Sequence, residues 1–198
     1  ALLGWNSGTE QELFTLDELV QAFSLEHVGK AGARFDFEKA KWFNHQYLAQ
    51  KSNEEIATLF LPVLKAHRVE KSTDYITHVC GLLKERVNFV SEIWDQGFFF
   101  FVAPEDYDKD IVSKRWKPET PGILKEISDL LADLADFSTP SVSNALHGYA
   151  AGKQIGLGQV MNPLRISLVG SGIGPDLPII AAMLGKDEVL KRIKTAVE

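Results

Sequence analysis

Cysteine is almost missing: Cys80 is the only one in 198 residues. One thiol cannot close an internal disulfide, and its use fits a reducing cytosol, which is the expected location. No stretch approaches the roughly 20 apolar residues of a membrane span, and the run Phe98–Val102 is far too short. Ala1-Leu2-Leu3-Gly4-Trp5 lacks the basic region of a signal peptide and gives way to Glu10 and Glu12. Basic charge is also scarce. With 21 Lys+Arg against 27 Asp+Glu the net charge is −6, which for the chain taken whole counts against a nucleic-acid partner. Internal repeats and low-complexity linkers are absent. The chain opens without methionine and in mid-pattern, so it is expected to be a piece excised from a longer protein.

What remains is ordinary globular material. An apolar fraction of 45% with 24% charged residues supplies a core for one large domain or two small ones. The charge is segregated along the chain. Residues 99–137 carry 5 Lys+Arg against 9 Asp+Glu, whereas residues 138–198 carry 6 against 4, a net +2 inside an acidic protein. Such a segment permits a local cationic face of modest strength.

Helix signals dominate. Thr15-Leu16-Asp17-Glu18 and Ser52-Asn53-Glu54-Glu55 are capping boxes, and Asp36 is placed to cap a helix through Tyr47. From Ile76 the apolar positions Val79, Leu83, Val87, Val90 and Trp94 keep a spacing of three or four, which predicts one continuous helix face. Thr120-Pro121 and Thr139-Pro140 read as cap-plus-proline starts, the first opening a helix that turns Ile123, Ile127, Leu130, Leu131 and Leu134 inward. A last helix from Lys186 to Val197 is expected to bury Leu190, Ile193 and Val197 and to turn Lys191, Arg192 and Lys194 outward. Phe98-Phe99-Phe100-Phe101-Val102 competes for strand, yet Gly97 before it and Pro104 after it suit a buried connector between two helical bundles.

No catalytic constellation emerges. His27, His45, His67, His78 and His147 are scattered without a second ligand at metal spacing. Ser171 follows Gly170, but the nucleophile elbow needs a glycine where Val169 stands. The acidic pairs Asp106/Asp108/Asp110 and Asp133/Asp136 read as solvated charge.

The stretch Gly156–Lys194 is the most informative and admits two incompatible readings. In one, Leu164–Val169 is a strand entering a phosphate loop, Gly170-Ser171-Gly172-Ile173-Gly174. Against it, Pro175 stands where the dinucleotide fingerprint needs glycine, no Gly-Lys-Ser/Thr follows, and only 24 residues remain after Gly174. In the other, Asn162-Pro163 starts a helix that Gly170 ends with a left-handed cap, and further helices begin near Asp176 and Lys186.

That second reading carries a family likeness. Gly158-Gln159 followed by Pro163-Leu164-Arg165, the short glycine turn, and Leu184-Gly185-Lys186-Asp187 before a basic helix closely resemble the C-terminal end of bacterial glutamyl-tRNA synthetases. Leu2-Leu3-Gly4-Trp5-Asn6, Gly8, Glu12-Leu13-Phe14, Phe35-Asp36-Phe37-Glu38-Lys39 and Trp42-Phe43-Asn44 are similar to the stem-contact segment that follows the K-M-S-K-R loop of that family. Neither that loop nor the H-I-G-H element is present. The resemblance therefore implies a tRNA-recognising piece without the catalytic domain, noncatalytic alone, with ATP and Mg used only by the full-length enzyme and no cofactor in this segment. It implies an all-α fold of two consecutive helical bundles of the α-helix-cage type. Residues 1–47 would end the stem-contact segment, 48–98 form a first anticodon-binding subdomain, and 99–198 a second.

The resemblance also implies a partner and a site. The partner is the anticodon loop of glutamate tRNA, bound by a monomeric, cytoplasmic protein with no membrane role. An arginine of the first subdomain reads the first anticodon base in this family, favouring glutamate over glutamine tRNAs, and it falls at Arg86. In the second subdomain the contacts fall on Arg165, Gly174, Pro175 and Leu177. Where some relatives carry threonine this chain has Gly174, so any side-chain hydroxyl contact is lost and only a backbone contact is left open. Two other classes remain open from sequence: an acidic helical protein-interaction module and a nucleotide-binding enzyme.

Overall fold

The computed structural model describes residues 3–30, 32 and 34–198, so Ala1 and Leu2, at the start of the stem-contact motif, lie outside the described residues. These residues form eleven α-helices: α1 Leu16–Ala22, α2 Phe37–Gln50, α3 Asn53–Ala66, α4 Thr73–Leu83, α5 Glu92–Gly97, α6 Lys109–Arg115, α7 Thr120–Ala132, α8 Thr139–Gly152, α9 Leu157–Val169, α10 Leu177–Leu184 and α11 Lys186–Val197. The fold is all-α. Among the described residues the one β feature is an isolated bridge between Trp5 and Val28, and no helix is long and apolar enough to cross a membrane.

Capping chemistry sets the starts that the sequence marks best. Thr15 and Ser52 each accept from the third helical amide while Glu18 and Glu55 reach back, completing both boxes, and Asp36 caps α2, which runs on to Gln50. The proline starts lie one residue off. Glu119 and Ser138 are the caps of α7 and α8, with Thr120 and Thr139 already inside, and the Thr120 hydroxyl is buried against the Lys117 amide.

Three expectations are overturned. The predicted continuous helix from Ile76 to Trp94 breaks into α4, a 3₁₀ turn over Lys84–Arg86, an extended Val87, and α5. Backbone partners outside α4 cause the break: His45 donates from Nδ1 to the Val87 carbonyl at 2.8 Å, Asn44 binds the Asn88 carbonyl, and Glu92 accepts from the Asn88 amide at 2.7 Å. The apolar spacing persisted because Val79, Leu83, Val87 and Ile93 all face one core. Pro163 does not start a helix but lies inside α9, whose cap is Gly156. An interior proline costs about 3 kcal/mol. Burial of Val160, Leu164, Ile166, Leu168 and Val169, at roughly 1.5–3 kcal/mol each, outweighs it. Finally, Arg192 of α11 points inward, 4% exposed, on the stripe with Val189 and Ile193, while Lys191 and Lys194 are exposed as expected.

The core is one contiguous cluster. Helices α3, α4 and α5 pack on one another, as do α7 through α11, with α6 against α9. The phenylalanine run forms a 3₁₀ turn between the groups, burying Phe99, Phe100 and Phe101 and touching α10. At the N-terminal end Trp5 and Phe14 are buried against each other, and the Tyr47 hydroxyl donates to the Phe14 carbonyl at 2.9 Å, tying that segment to α2.

Cys80 tests this core directly. It is fully buried in α4, and burial pushes its thiol up to about 12. A thiol reagent at pH 8 is expected to label the native chain only through opening of the core and to label it at once in denaturant. Rapid labelling without denaturant would show that α4 is not packed this way.

Candidate nucleic-acid interface

Helix α9 carries Arg165, the first candidate side chain. It ends because Gly170 takes the left-handed conformation at φ +79°, and its amide closes on the Ile166 carbonyl at 2.8 Å. The chain then makes a turn over Ser171–Asp176 before α10. Among the described residues, the amides of Ser171, Gly172, Ile173, Gly174 and Leu177 find no acceptor, and Pro175 and Pro178 have none to offer. The turn thus presents free donors at the start of a helix, a geometry suited to phosphate or base-edge acceptors.

Arg165 holds the turn from its outer side. Its Nη1 donates to the Ile173 carbonyl at 2.9 Å and its Nη2 to the Pro175 carbonyl at 2.8 Å. Burial lowers the pKa of this guanidinium, the Asp176 carboxylate opposes that, and the charge of Arg86 adds to the lowering. Arg86 is exposed at the end of its 3₁₀ turn, without an ion pair or side-chain hydrogen bond among the described residues, and the bonds from Asn44 and His45 fix the backbone just beyond it.

Gly174 sits at φ +109°, and a Cβ there would lie 2.9 Å from Cζ of Phe99 and 3.4 Å from Nη1 of Arg165. Conformation and space both demand glycine. Pro175 and Leu177 are buried, Leu177 forming part of the wall of a cavity of about 490 Å³ with Arg165, Asp176, Met161, Ser143 and His147. Of the five residues expected from the resemblance, four meet at this turn and cavity, whereas Arg86 does not line it.

His147 lines the same cavity, a position its sequence surroundings do not announce. Its Nδ1 donates to the Ser143 carbonyl at 2.8 Å, one helical turn back, which leaves Nε2 as an acceptor in the neutral tautomer. A lone exposed histidine carries no sequence signal, and only the packing of α8 beside α9 and α10 brings it to the cavity. Lys186, part of the Leu184-Gly185-Lys186-Asp187 motif, is structural: its Nζ donates to the Ala132 carbonyl at 2.8 Å and to the Leu134 carbonyl at the end of α7. No group of three His, Cys, Asp or Glu among the described residues is arranged to hold a metal. The phosphate-loop reading fails outright, since Leu164–Val169 is helix.

Comparisons with known proteins agree with this architecture. The family model described as an anticodon binding domain matches residues 55–197. The glutamate–tRNA ligase of Phocaeicola vulgatus is 50% identical over 198 residues, covering all of this chain and 39% of the relative, and that of Flavobacterium psychrophilum is 46% identical with the same coverage. A crystal structure of a glutamate tRNA ligase from Elizabethkingia meningosepticum in complex with its amino acid superposes with a TM-score of 0.93 at 43% identity, over 99% of this chain and 39% of that one. The chain thus spans about two-fifths of the length of these relatives. Anticodon binding, rather than a protein-interaction module, is what the matches support. With the model matched from α3 into α11, the chain belongs to the anticodon-binding domain family.

Proposed function

We propose that the chain binds the anticodon loop of glutamate-accepting tRNA, and that its parent is a cytoplasmic, monomeric ligase using ATP and Mg in a part this chain does not contain. The division into residues 1–47, 48–98 and 99–198 belongs to the proposal; the packing of α3–α5 and of α7–α11 as separate groups on either side of the phenylalanine turn supports it. The observation that carries the reading is the grip of Arg165 on a donor-rich turn beside one cavity. Unstacked loop bases are recognised by such combinations of guanidinium groups, backbone amides and apolar walls.

One assignment is corrected here. Glutamate and glutamine codons differ only in the first letter, so their anticodons differ only in the third base, cytosine against guanine. Discrimination by Arg86 therefore falls on the third base rather than the first. The chemistry agrees, because the pairing edge of cytosine offers two adjacent acceptors to a guanidinium, whereas guanine turns two donors toward it.

The test is a binding titration with a glutamate anticodon stem–loop at several salt concentrations. Two or three phosphate contacts give a log–log slope of about −1.5 to −2 for a single strand. Arg165→Ala should weaken binding by about tenfold or more, through the loss of charge-assisted bonds that shape the turn. No binding at low salt, or a titration in which ATP alone shifts the melting temperature, would overturn the proposal.

A further inference from the structure

We infer that Arg192 is a positioning residue for the anticodon turn, acting through Arg165 and the turn backbone without touching RNA. The inference rests on the anticodon-binding reading of that turn. Arg192 is the one charged residue buried among the described residues. Its Nε pairs with Oε1 of Glu188 at 2.7 Å, one helical turn earlier on α11, which leaves the rest of the guanidinium for long-range work. Nη1 donates to two carbonyls, Phe99 at 2.8 Å and Leu168 at 2.7 Å.

Both carbonyls border the turn. Leu168 lies in the last turn of α9, where the helix ends before an amide four residues on can pair with it, so its carbonyl has only Arg192 among the described residues. Phe99 has the same need in its 3₁₀ turn, and its ring is the floor under Gly174. The turn is consequently held from two sides. Arg165 grips the carbonyls of Ile173 and Pro175 from the cavity, while Arg192 fixes the end of α9 and the aromatic floor from the core. A shift of either border would move the free amides and the guanidinium of Arg165 together.

The experiment is a double-mutant cycle on the 198-residue chain, read as affinity for the glutamate anticodon stem–loop at a temperature where every variant is folded. Arg192→Met keeps the stem and removes the donors; it should weaken binding about tenfold, and Arg192→Lys, which retains a donor, should recover part of that. In the Arg192→Met background the added cost of Arg165→Ala should shrink. A purely structural residue behaves otherwise: melting falls, folded molecules bind as before, and the Arg165→Ala loss is unchanged. Should Arg192→Met not fold, Arg192→Lys alone decides, since wild-type binding by it overturns the inference. The two readings fail separately. Wild-type affinity in Arg165→Ala overturns both, whereas weakened binding there with unaltered binding in the Arg192 variants overturns only this one.

Discussion

Gly170→Ala is expected to destabilise the chain by about 2–5 kcal/mol, a left-handed residue with a Cβ costing about 1–2 kcal/mol and overpacking about 1–3. The residue holds φ +79°, and the added Cβ would lie 2.7 Å from the Asp106 carbonyl oxygen and 2.8 Å from Cβ of Pro104. Neither neighbour is a flexible side-chain tip. The loop they belong to is held against Gly170 by the Asp108 amide, which donates to the Gly170 carbonyl at 2.8 Å, so it cannot retreat without losing that bond. Gly172→Ala is the control, because Gly172 has no positive φ and its Cβ would meet only Cδ1 of Ile111 at 3.0 Å. Denaturant unfolding followed by circular dichroism distinguishes them: the midpoint should drop for Gly170→Ala at constant m value and change little for Gly172→Ala. A Gly170→Ala midpoint equal to wild type would mean that α9 does not end in this cap.

Gly170 also illustrates what local chemistry makes legible. A glycine after an apolar helical run, capping boxes at Thr15 and Ser52, and an aspartate before α2 each mark a boundary within a few residues, because the groups that satisfy one another are close in sequence. Arg192 was illegible for the opposite reason. Its partner carbonyl on Phe99 is 93 residues away, and a cation amid Lys191 and Lys194 carries the pattern of a solvated face. The break after Leu83 was hidden because apolar spacing records which side faces the core and is indifferent to whether the backbone between is helical. His45 and Asn44, two helices away in α2, do the breaking. The same limit applies to the candidate site. Arg165, Gly174, Pro175 and Leu177 came from motif resemblance and meet within one turn, whereas the cavity wall contributed by α8, His147 included, needed the tertiary fold.

The break after Leu83 gives Arg86 a different setting from the one its spacing predicts. On a continuous helix the residue would have been a snorkelling arginine beside a core stripe. In the structure it stands exposed at the end of a 3₁₀ turn, unpaired among the described residues. If it reads the third anticodon base, Arg86→Ala should cost about 1–3 kcal/mol in binding to the glutamate loop, the usual worth of a bidentate base contact. The glutamine loop should lose little, since the pairing edge of its guanine lacks that adjacent acceptor pair. Arg86→Gln should shrink the preference as well, because an amide presents a donor and an acceptor and tolerates either base. Comparing both loops at several salt concentrations separates this from a phosphate contact, whose loss weakens every sequence alike and flattens the salt slope by about 0.7. Equal losses for the two loops would make Arg86 a phosphate contact, and no loss for either would leave it an exposed residue of the 3₁₀ turn.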